Sequence, residues 1–336
     1  MSILFECILI FLLTLFLVKY VRDSASTLGI IDIPNERSSH KVEIARSGGI
    51  GFFFAVVVVF PFFHLDLLLL HIWTYLAILF VFFIGLLDDR HNAAPSAKFF
   101  IIIIATFLLY FDGIVINNIG IFFGVPISLG WFALPFTIFA VVGFTNALNL
   151  IDGIDGLSST LSIIILGALG IVGYLYSDFF MLITSLTFIV ALLAFLVFNW
   201  HPASIFMGDS GSLTLGFIIS LLSIKALNYI PAVSILFLAA IPILDTLYVI
   251  IRRKINKRSA FAPDKCHIHH IVNVFMRDNV KSTVFTLGLI QFIYALFALS
   301  LDKDIDEGIL FILFIANLLL VYRVLTQVIK RFNKKC

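Results

Sequence analysis

The stretch STLSIIILGALGIVGYLYSDFFMLITSLTFIVALLAFLVF at residues 159–198 contains a single charged residue, Asp178. A helix needs about 20 consecutive apolar residues to cross a hydrocarbon core of about 30 Å. The stretch holds two runs of about that length, 159–176 and 179–198, on either side of a short turn. It therefore predicts two transmembrane helices, and with them a membrane protein.

The composition of the whole chain extends this prediction. Of the 336 residues, 61% are hydrophobic and 12% are charged, whereas ordinary soluble domains carry about 25% charged residues. A soluble fold of this length cannot bury so much apolar surface. The apolar runs predict eleven spans, near residues 3–18, 48–63, 67–87, 99–111, 131–148, 159–176, 179–198, 211–227, 230–251, 283–301 and 308–327. We therefore expect one all-α domain, residues 1–336, that crosses the lipid bilayer about eleven times.

The charged residues predict the orientation in the membrane. If the first helix runs from outside to inside, all but Lys225 and Lys303 of the 22 lysines and arginines fall on the cytoplasmic side. This asymmetry predicts a multi-pass protein of the plasma (inner) membrane with its N-terminus outside and its C-terminus in the cytoplasm. The net charge of +2 provides no basic field for nucleic acid, so no nucleic acid partner is expected. Three scattered cysteines are too few for a disulfide framework or a zinc ribbon.

The first polar motif is GLLDDR at residues 85–90, followed by Lys98. The adjacent carboxylates of Asp88 and Asp89 at the end of a helix suit a divalent cation, and a lysine two to three turns further along suits a phosphate. An ordinary solvated helix end explains the motif equally well when it stands alone.

A second motif, NALNLIDGIDGL at residues 146–157, carries four side chains with oxygen atoms: Asn146, Asn149, Asp152 and Asp155. The two asparagines share one face of the last turn of a helix, and the two glycines let the backbone approach a ligand closely. A cap on the following helix is the alternative. A cap requires fewer polar residues, so the motif favours a binding loop.

The third motif, NWHPASIFMGDSGS at residues 199–212, places the lone carboxylate of Asp209 among small residues at the start of a helix. Hard oxygen ligands of this kind suit Mg²⁺, which keeps waters and is shared with the phosphates of a substrate. The backbone N–H groups of the helix start suit an anion. Helix capping alone is the alternative for this motif. His201, which precedes a proline, is interpreted as a residue that positions the loop rather than as a ligand.

Three histidines, His267, His269 and His270, stand in the most basic loop, within PDKCHIHH at residues 263–270. A tetrahedral zinc site needs a matching group of Cys or His residues, and the sequence offers no such partner loop. Binding of pyrophosphate or sugar is the better interpretation. Asp245, inside the ninth predicted span, is interpreted as a partner in helix packing rather than as a ligand.

A fifth motif, DIPNERSSH at residues 32–40, precedes Arg46 in the sequence RSGG. All five motifs fall in loops that are predicted to be cytoplasmic. Such a face suits a reaction between a water-soluble, phosphate-rich substrate and a lipid-borne one. A secondary transporter, which places ionisable groups near the middle of the bilayer, and a lipid-phosphate hydrolase, which uses water as the acceptor, are the alternatives.

These motifs, in this order and along nearly the whole chain, resemble those of the polyprenyl-phosphate N-acetylhexosamine-1-phosphate transferases of glycosyltransferase family 4. The resemblance implies a membrane enzyme, often a homodimer, whose active site is built from cytoplasmic loops. It implies that the phosphate of undecaprenyl phosphate attacks the β-phosphorus of a UDP-N-acetylhexosamine and releases UMP. A covalent aspartyl-phosphate route is the alternative. The HIHH sequence resembles the branch that initiates O-antigen, common-antigen or teichoic-acid linkage units, so the reaction would be the first membrane step of a cell-envelope polysaccharide.

The resemblance also implies roles for individual residues. The catalytic residues are Asp88, Asp89 and Asp209. Mg²⁺, with Mn²⁺ as an alternative ion, is expected at Asp209 and Asn149. The substrate-binding residues are Arg46, Lys98, Asn146, Asn149, Asp152, Asp155, His267, His269 and His270. Residues 37–40 resemble a subset that uses modified N-acetyl sugars, so the expected donor carries either GlcNAc or such a sugar.

Overall fold

The computed structural model describes residues 3–32, 43–259 and 266–332, and these ranges are predominantly helical. The helices are α1 (Ile3–Asp23), α2 (Ala25–Leu28), α3 (Gly49–Leu70), α4 (Ile72–His91), α5 (Pro95–Phe111), α6 (Ala133–Ile151), α7 (Leu157–Leu175), α8 (Phe179–Asn199), α9 (Gly208–Ala226), α10 (Ser234–Leu238), α11 (Ala240–Ile255), α12 (Ile268–Phe275), α13 (Val280–Leu299) and α14 (Glu307–Arg331). Two antiparallel strand pairs accompany them, β1 (Ile31–Asp32) with β2 (Ile44–Ala45) and β3 (Asn118–Phe122) with β4 (Val125–Ser128).

The predicted class, an all-α protein that crosses the membrane several times, is confirmed. Eight helices in the described ranges are long and apolar enough to span a bilayer, namely α1, α3, α4, α6, α7, α8, α13 and α14. The remaining predicted spans also form helices, but α5 has only 17 residues, and the ninth run is divided between α10 and α11. The number of eleven crossings therefore stays a prediction.

Helix α9 lies at the centre of the structure, where it packs against α3, α4, α6 and α7. Every residue of α9 is buried except Asp209 in its first turn and Lys225 in its last turn. Its buried hydroxyl groups donate to the carbonyl oxygens four residues earlier, as at Ser212, Thr214 and Ser220. Neighbouring helices thus surround a helix that carries several buried hydroxyl groups.

The predicted boundary between the second and third spans, at residues 64–66, coincides with a kink in α3 at His64, beyond which the helix continues to Leu70. The helix contains Pro61, and its backbone becomes irregular at His64, with φ −136° and ψ 42°. The His64 ring nitrogen Nε2 lies 2.9 Å from the carboxylate of Glu6 on α1, a side chain that is 1% exposed. A polar residue that looked like the end of a helix is therefore satisfied inside the bundle.

The ninth predicted span is broken at Ala239, between α10 and α11. Pro242 has no N–H group, so it cannot donate to the carbonyl of Leu238 four residues earlier. Gln291 on α13 replaces that hydrogen bond: its Nε2 donates to the Leu238 carbonyl at 2.7 Å, and its Oε1 accepts from the Ile241 N–H at 3.0 Å. In a membrane, where water cannot satisfy freed backbone groups, this side chain makes the break tolerable.

Replacing Gln291 by leucine should therefore destabilise the protein. The substitution leaves a buried N–H and a buried carbonyl without partners, at a cost of about 1–3 kcal/mol for each group. We expect the apparent melting temperature in detergent to fall by several degrees. The matched control is Gln327→Leu, because the Gln327 side chain is exposed on α14. Equal melting temperatures for the two variants would contradict the assigned role of Gln291.

Candidate active site

Four segments of the chain bring five charged side chains together at one end of the helix bundle. The segments are the end of α4, the start of α5, the residues between β2 and α3, and the start of α9. Their charged residues are Asp88, Asp89, Lys98, Arg46 and Asp209. The sequence predicted all five as site residues, and we call them the charged cluster.

Asp89 forms a cap on the start of α9, although it belongs to α4. Its carboxylate accepts hydrogen bonds from the backbone N–H groups of Asp209 at 2.7 Å and Ser210 at 3.1 Å, and from the Ser210 hydroxyl at 2.7 Å. The Arg46 Nε lies 3.1 Å away, and the Asp89 side chain is 0% exposed. A carboxylate at a helix N-terminus satisfies N–H groups that have no partner within the helix. The structure thus gives Asp89 the geometry of a residue that holds Asp209 in place.

Lys98 lies between the other two carboxylates of the charged cluster. Its Nζ is 2.9 Å from Asp209 Oδ2 and 3.2 Å from Asp88 Oδ1. These three side chains keep some exposure, 9% for Asp88, 14% for Asp209 and 21% for Lys98. A ligand can therefore reach these three side chains. It can also reach Arg46, whose side chain is 25% exposed.

Arg46 is positioned by backbone hydrogen bonds to the segment that leads into α9. The Phe206 N–H donates to the Ala45 carbonyl, and the Gly48 N–H donates to the Phe206 carbonyl, each at 2.8 Å. The guanidinium lies within 4 Å of all three carboxylates of the cluster. Burial lowers the pKa of Arg46, but the negative charges of Asp89, Asp209 and Asp88 outweigh it, so the pKa is raised. Arg46 is a fixed positive charge at the site.

Two glycines allow α4 and α9 to meet closely enough to form this cluster. A Cβ atom at Gly85 would lie 2.5 Å from the carbonyl oxygen of Asp209, and one at Gly208 would lie 2.5 Å from Asp89 Oδ2. Gly208 also has a φ of +76°, a conformation that other residues rarely adopt. Gly85 is thus required by the close approach of the α9 backbone, and Gly208 by its own backbone conformation and by the Asp89 carboxylate.

The loop of residues 152–156 places Asp152 and Asp155 in different surroundings. Burial, and then the negative charges of Asp209 and Asp89, hold the pKa of Asp152 well above its usual range. Asp155 instead accepts from the Ala203 N–H at 3.0 Å and lies 2.7 Å from Nδ1 of His201. Asp152 therefore borders the charged cluster, whereas Asp155 and His201 join the second and third sequence motifs.

The two predicted asparagines lie in the last turns of α6. Asn149 donates from Nδ2 to the Ser212 hydroxyl at 2.8 Å, in the first turn of α9, which leaves its carbonyl oxygen as an acceptor. Asn146 is half-buried, and its side chain makes no hydrogen bond to the part of the chain that the structure describes. Both positions are compatible with ligand contacts, which stay predictions.

The three histidines form a stack at the start of α12. The rings of His267 and His269 are nearly parallel, at 13°, with centroids 5.6 Å apart, and the ring of His270 lies 4.2 Å from that of His269. His267 and His269 are 6% and 1% exposed. A Cβ atom at Gly153 would lie 2.5 Å from Nε2 of His269, so this stack packs against the loop that carries Asp152.

The charge balance of the site bears on the predicted Mg²⁺. Three carboxylates, Asp88, Asp89 and Asp209, stand within 4 Å of two cations, Arg46 and Lys98, so the ionised cluster has an excess of one negative charge. Within residues 3–32, 43–259 and 266–332, no group of three or more His, Cys, Asp or Glu side chains converges as a metal site. Mg²⁺ needs only one or two carboxylates when waters and phosphates complete its shell. The oxygen donors of Asp209 and Asp88 therefore fit this ion when a phosphate substrate is bound.

Sequence reasoning missed the contacts that two residues make near the site. Asp245, interpreted as a packing residue, bonds to His267, and Asn199 holds the Gly156 N–H and the Ile205 carbonyl at 3.1 and 3.0 Å. No local pattern marks the contacts with His267 and Gly156, because these partners lie in other segments of the chain. Most of the DIPNERSSH motif, beyond Asp32, and residues 263–265 of the histidine motif lie outside the described residues.

The apolar helices and the cluster of charges at their end define a multi-pass membrane protein with a polar site at one end of its helices. A model of glycosyl transferase family 4 matches residues 71–227. The chain is 34% identical over 335 residues to a probable undecaprenyl-phosphate N-acetylglucosaminyl 1-phosphate transferase of Bacillus subtilis, covering 96% of this chain and 91% of that protein. It is 31% identical over 278 residues to the undecaprenyl-phosphate alpha-N-acetylglucosaminyl 1-phosphate transferase of Escherichia coli K12, covering 80% and 75%. The chain therefore belongs to the polyprenyl-phosphate N-acetylhexosamine-1-phosphate transferases of glycosyl transferase family 4.

Proposed function

We propose that this protein transfers N-acetylhexosamine 1-phosphate from a UDP-sugar to undecaprenyl phosphate and releases UMP. The donor carries GlcNAc or a modified N-acetyl sugar, and the product starts a cell-envelope polysaccharide such as O-antigen. The observation that carries the proposal is the charged cluster, in which Lys98 and Arg46 are fixed by carboxylates at the end of a bundle of membrane helices. The names of the two relatives support the same reaction.

The residues of the cluster suit phosphoryl transfer by positioning rather than by proton removal. A phosphate monoester has a second pKa of about 6, so the attacking lipid phosphate is already largely a dianion at neutral pH. Lys98 and Arg46 attract the phosphates of the two substrates, and Asp88 and Asp209 keep both cations at fixed positions. Asp89 fixes the start of α9, and hence Asp209.

Mg²⁺ is proposed at Asp209, with Asp88 and the Asn149 carbonyl oxygen as candidate further donors, and Mn²⁺ as an alternative ion. When bound, the ion would neutralise negative charge on the pyrophosphate and on the leaving UMP. The excess of one carboxylate over the two cations of the charged cluster supports this assignment.

The location of the site is also a proposal. The distribution of lysines and arginines supports a cytoplasmic face for the charged cluster, with the N-terminus of the chain outside the plasma membrane. This placement would expose the site to soluble UDP-sugars, while the ends of the helices bring it to the lipid acceptor. A homodimer is proposed on the resemblance alone.

The test uses detergent-purified protein, undecaprenyl phosphate and a panel of UDP-N-acetylhexosamines, and measures UMP release with and without Mg²⁺. UMP that forms only when both the lipid and the metal are present would support the transferase. UMP and free sugar phosphate formed without the lipid would instead indicate a hydrolase. No UMP with any donor would contradict the proposed reaction.

A further inference from the structure

One buried carboxylate ties the histidine stack to helix α11. Asp245 is 0% exposed, and its Oδ2 lies 2.6 Å from Nδ1 of His267. Its Oδ1 accepts from the backbone N–H of Ile268 at 2.5 Å, in the first turn of α12. The same side chain thus fixes both a ring and the start of the helix that carries the other two histidines.

This contact continues towards the charged cluster through packed rings. His267 stacks on His269, and His269 packs against Gly153, the neighbour of Asp152. Asp152 in turn lies close enough to Asp209 and Asp89 for their charges to raise its pKa. A displacement of His267 is therefore transmitted by direct contact to the loop that borders the cluster.

The chemistry of a histidine paired with a carboxylate explains what such a contact can do. When Nδ1–H donates to a carboxylate, the rotation of the ring and its tautomer are fixed, and Nε2 is the nitrogen that remains for a ligand. A carboxylate that only supported helix packing would not need to select a ring nitrogen of a site residue. Asp245 also accepts a backbone N–H, so its two oxygens set the position and the direction of His267 together.

We propose that Asp245 is a positioning residue for the reaction: it holds His267 and the start of α12 in the orientation that contacts the phosphates of the sugar nucleotide. The inference rests on the proposed function and deepens it, since it assigns a role to a residue inside a helix that carries none of the sequence motifs. Asp245 itself does not touch the substrate.

The test compares Asp245→Asn, His267→Gln and the double variant by the kinetics of UMP release. When the asparagine oxygen accepts from the Ile268 N–H, its NH₂ group faces the His267 ring, so it no longer accepts an Nδ1–H and instead favours the opposite tautomer of the ring. We expect Asp245→Asn to lower kcat/KM for the donor about 10- to 100-fold, with the KM for the lipid acceptor unchanged. In the His267→Gln background, the same change should have an effect of less than about threefold, because two residues that act through one contact are not additive.

The matched control is Asp178→Asn. The Asp178 carboxylate also accepts a backbone N–H, from Met181 at 3.0 Å, but it pairs with Lys225 at the other end of α9. This control should keep its kcat/KM. Hydrogen exchange of residues 266–275 gives a readout that does not depend on turnover. The exchange should become faster in Asp245→Asn but not in Asp178→Asn.

Three results would overturn the assignment of Asp245. They are a normal kcat/KM in Asp245→Asn, an equal loss in Asp178→Asn, and the same fold-loss from Asp245→Asn in both backgrounds, which a purely structural role predicts. These results differ from a failure of the proposed function. A wild-type protein that transfers no sugar phosphate would overturn that function, and this role with it, whereas an active wild type with an unaffected Asp245→Asn variant overturns this role alone.

Discussion

Replacing Asp209 by asparagine should reduce UMP release by at least about 100- to 1,000-fold, the range measured when one preorganised charge or dipole is removed from an active site. Asp209 is the most exposed carboxylate of the charged cluster, it binds Lys98 at 2.9 Å, and it is the proposed metal ligand. The fold should be preserved. Lys98 keeps Asp88 at 3.2 Å, Arg46 keeps Asp89 at 3.1 Å, and the backbone N–H of residue 209 still donates to Asp89.

The measurement pairs turnover with the apparent melting temperature in detergent. Asp178→Asn again serves as the control for loss of a carboxylate, and it should retain turnover. A titration with Mn²⁺ followed by electron paramagnetic resonance adds a readout of metal binding, which Asp209→Asn should weaken. An Asp209→Asn protein with near-normal rates would remove Asp209 from the catalytic residues.

Replacing Asp89 by asparagine should abolish turnover for a different reason. Asp89 accepts hydrogen bonds from two backbone N–H groups and one hydroxyl, and it pairs with the Arg46 guanidinium. An amide has one acceptor oxygen, and its NH₂ group would face donors. Removing one partner of a buried ion pair costs about 3–5 kcal/mol. We therefore expect Asp89→Asn to lower both the melting temperature and the rate.

Comparing the two variants distinguishes a residue that stabilises the structure of the site from one that acts on the substrate. Asp89→Asn should melt at a clearly lower temperature than Asp209→Asn, although both lose activity. Equal melting temperatures together with an inactive Asp89→Asn protein would indicate that Asp89 acts on the substrate directly, as the sequence interpretation assumed. Full activity in Asp89→Asn would contradict both interpretations.

The sequence predicts the features that depend on neighbouring residues. Apolar length predicts the helices, and residues such as Asp88, Lys98 and Asp209 are recognisable because each stands at the end of an apolar run. Their assembly into one cluster follows once the ends are assigned to the same face of the membrane. Arg46, from a loop far from Asp209 in sequence, is predicted as a site residue only through the family resemblance.

The features that the sequence does not predict depend on distant partners. Gln291 appears as one polar residue in an apolar run, and only the structure relates it to the break at Ala239. Asp245 is ambiguous for the same reason, because His267 lies 22 residues further along. The cap that Asp89 forms on α9 joins residues 120 positions apart, and no local pattern encodes it.

The central position of α9 has a consequence for how the protein is made. A segment with a charged first turn and several hydroxyl groups partitions poorly into lipid by itself when it leaves the ribosome. Helices α3, α4, α6 and α7, which surround it in the finished protein, are all synthesised earlier. The nascent chain can therefore offer α9 a protein surface instead of lipid, so the order of synthesis itself assists insertion of the helix that carries Asp209.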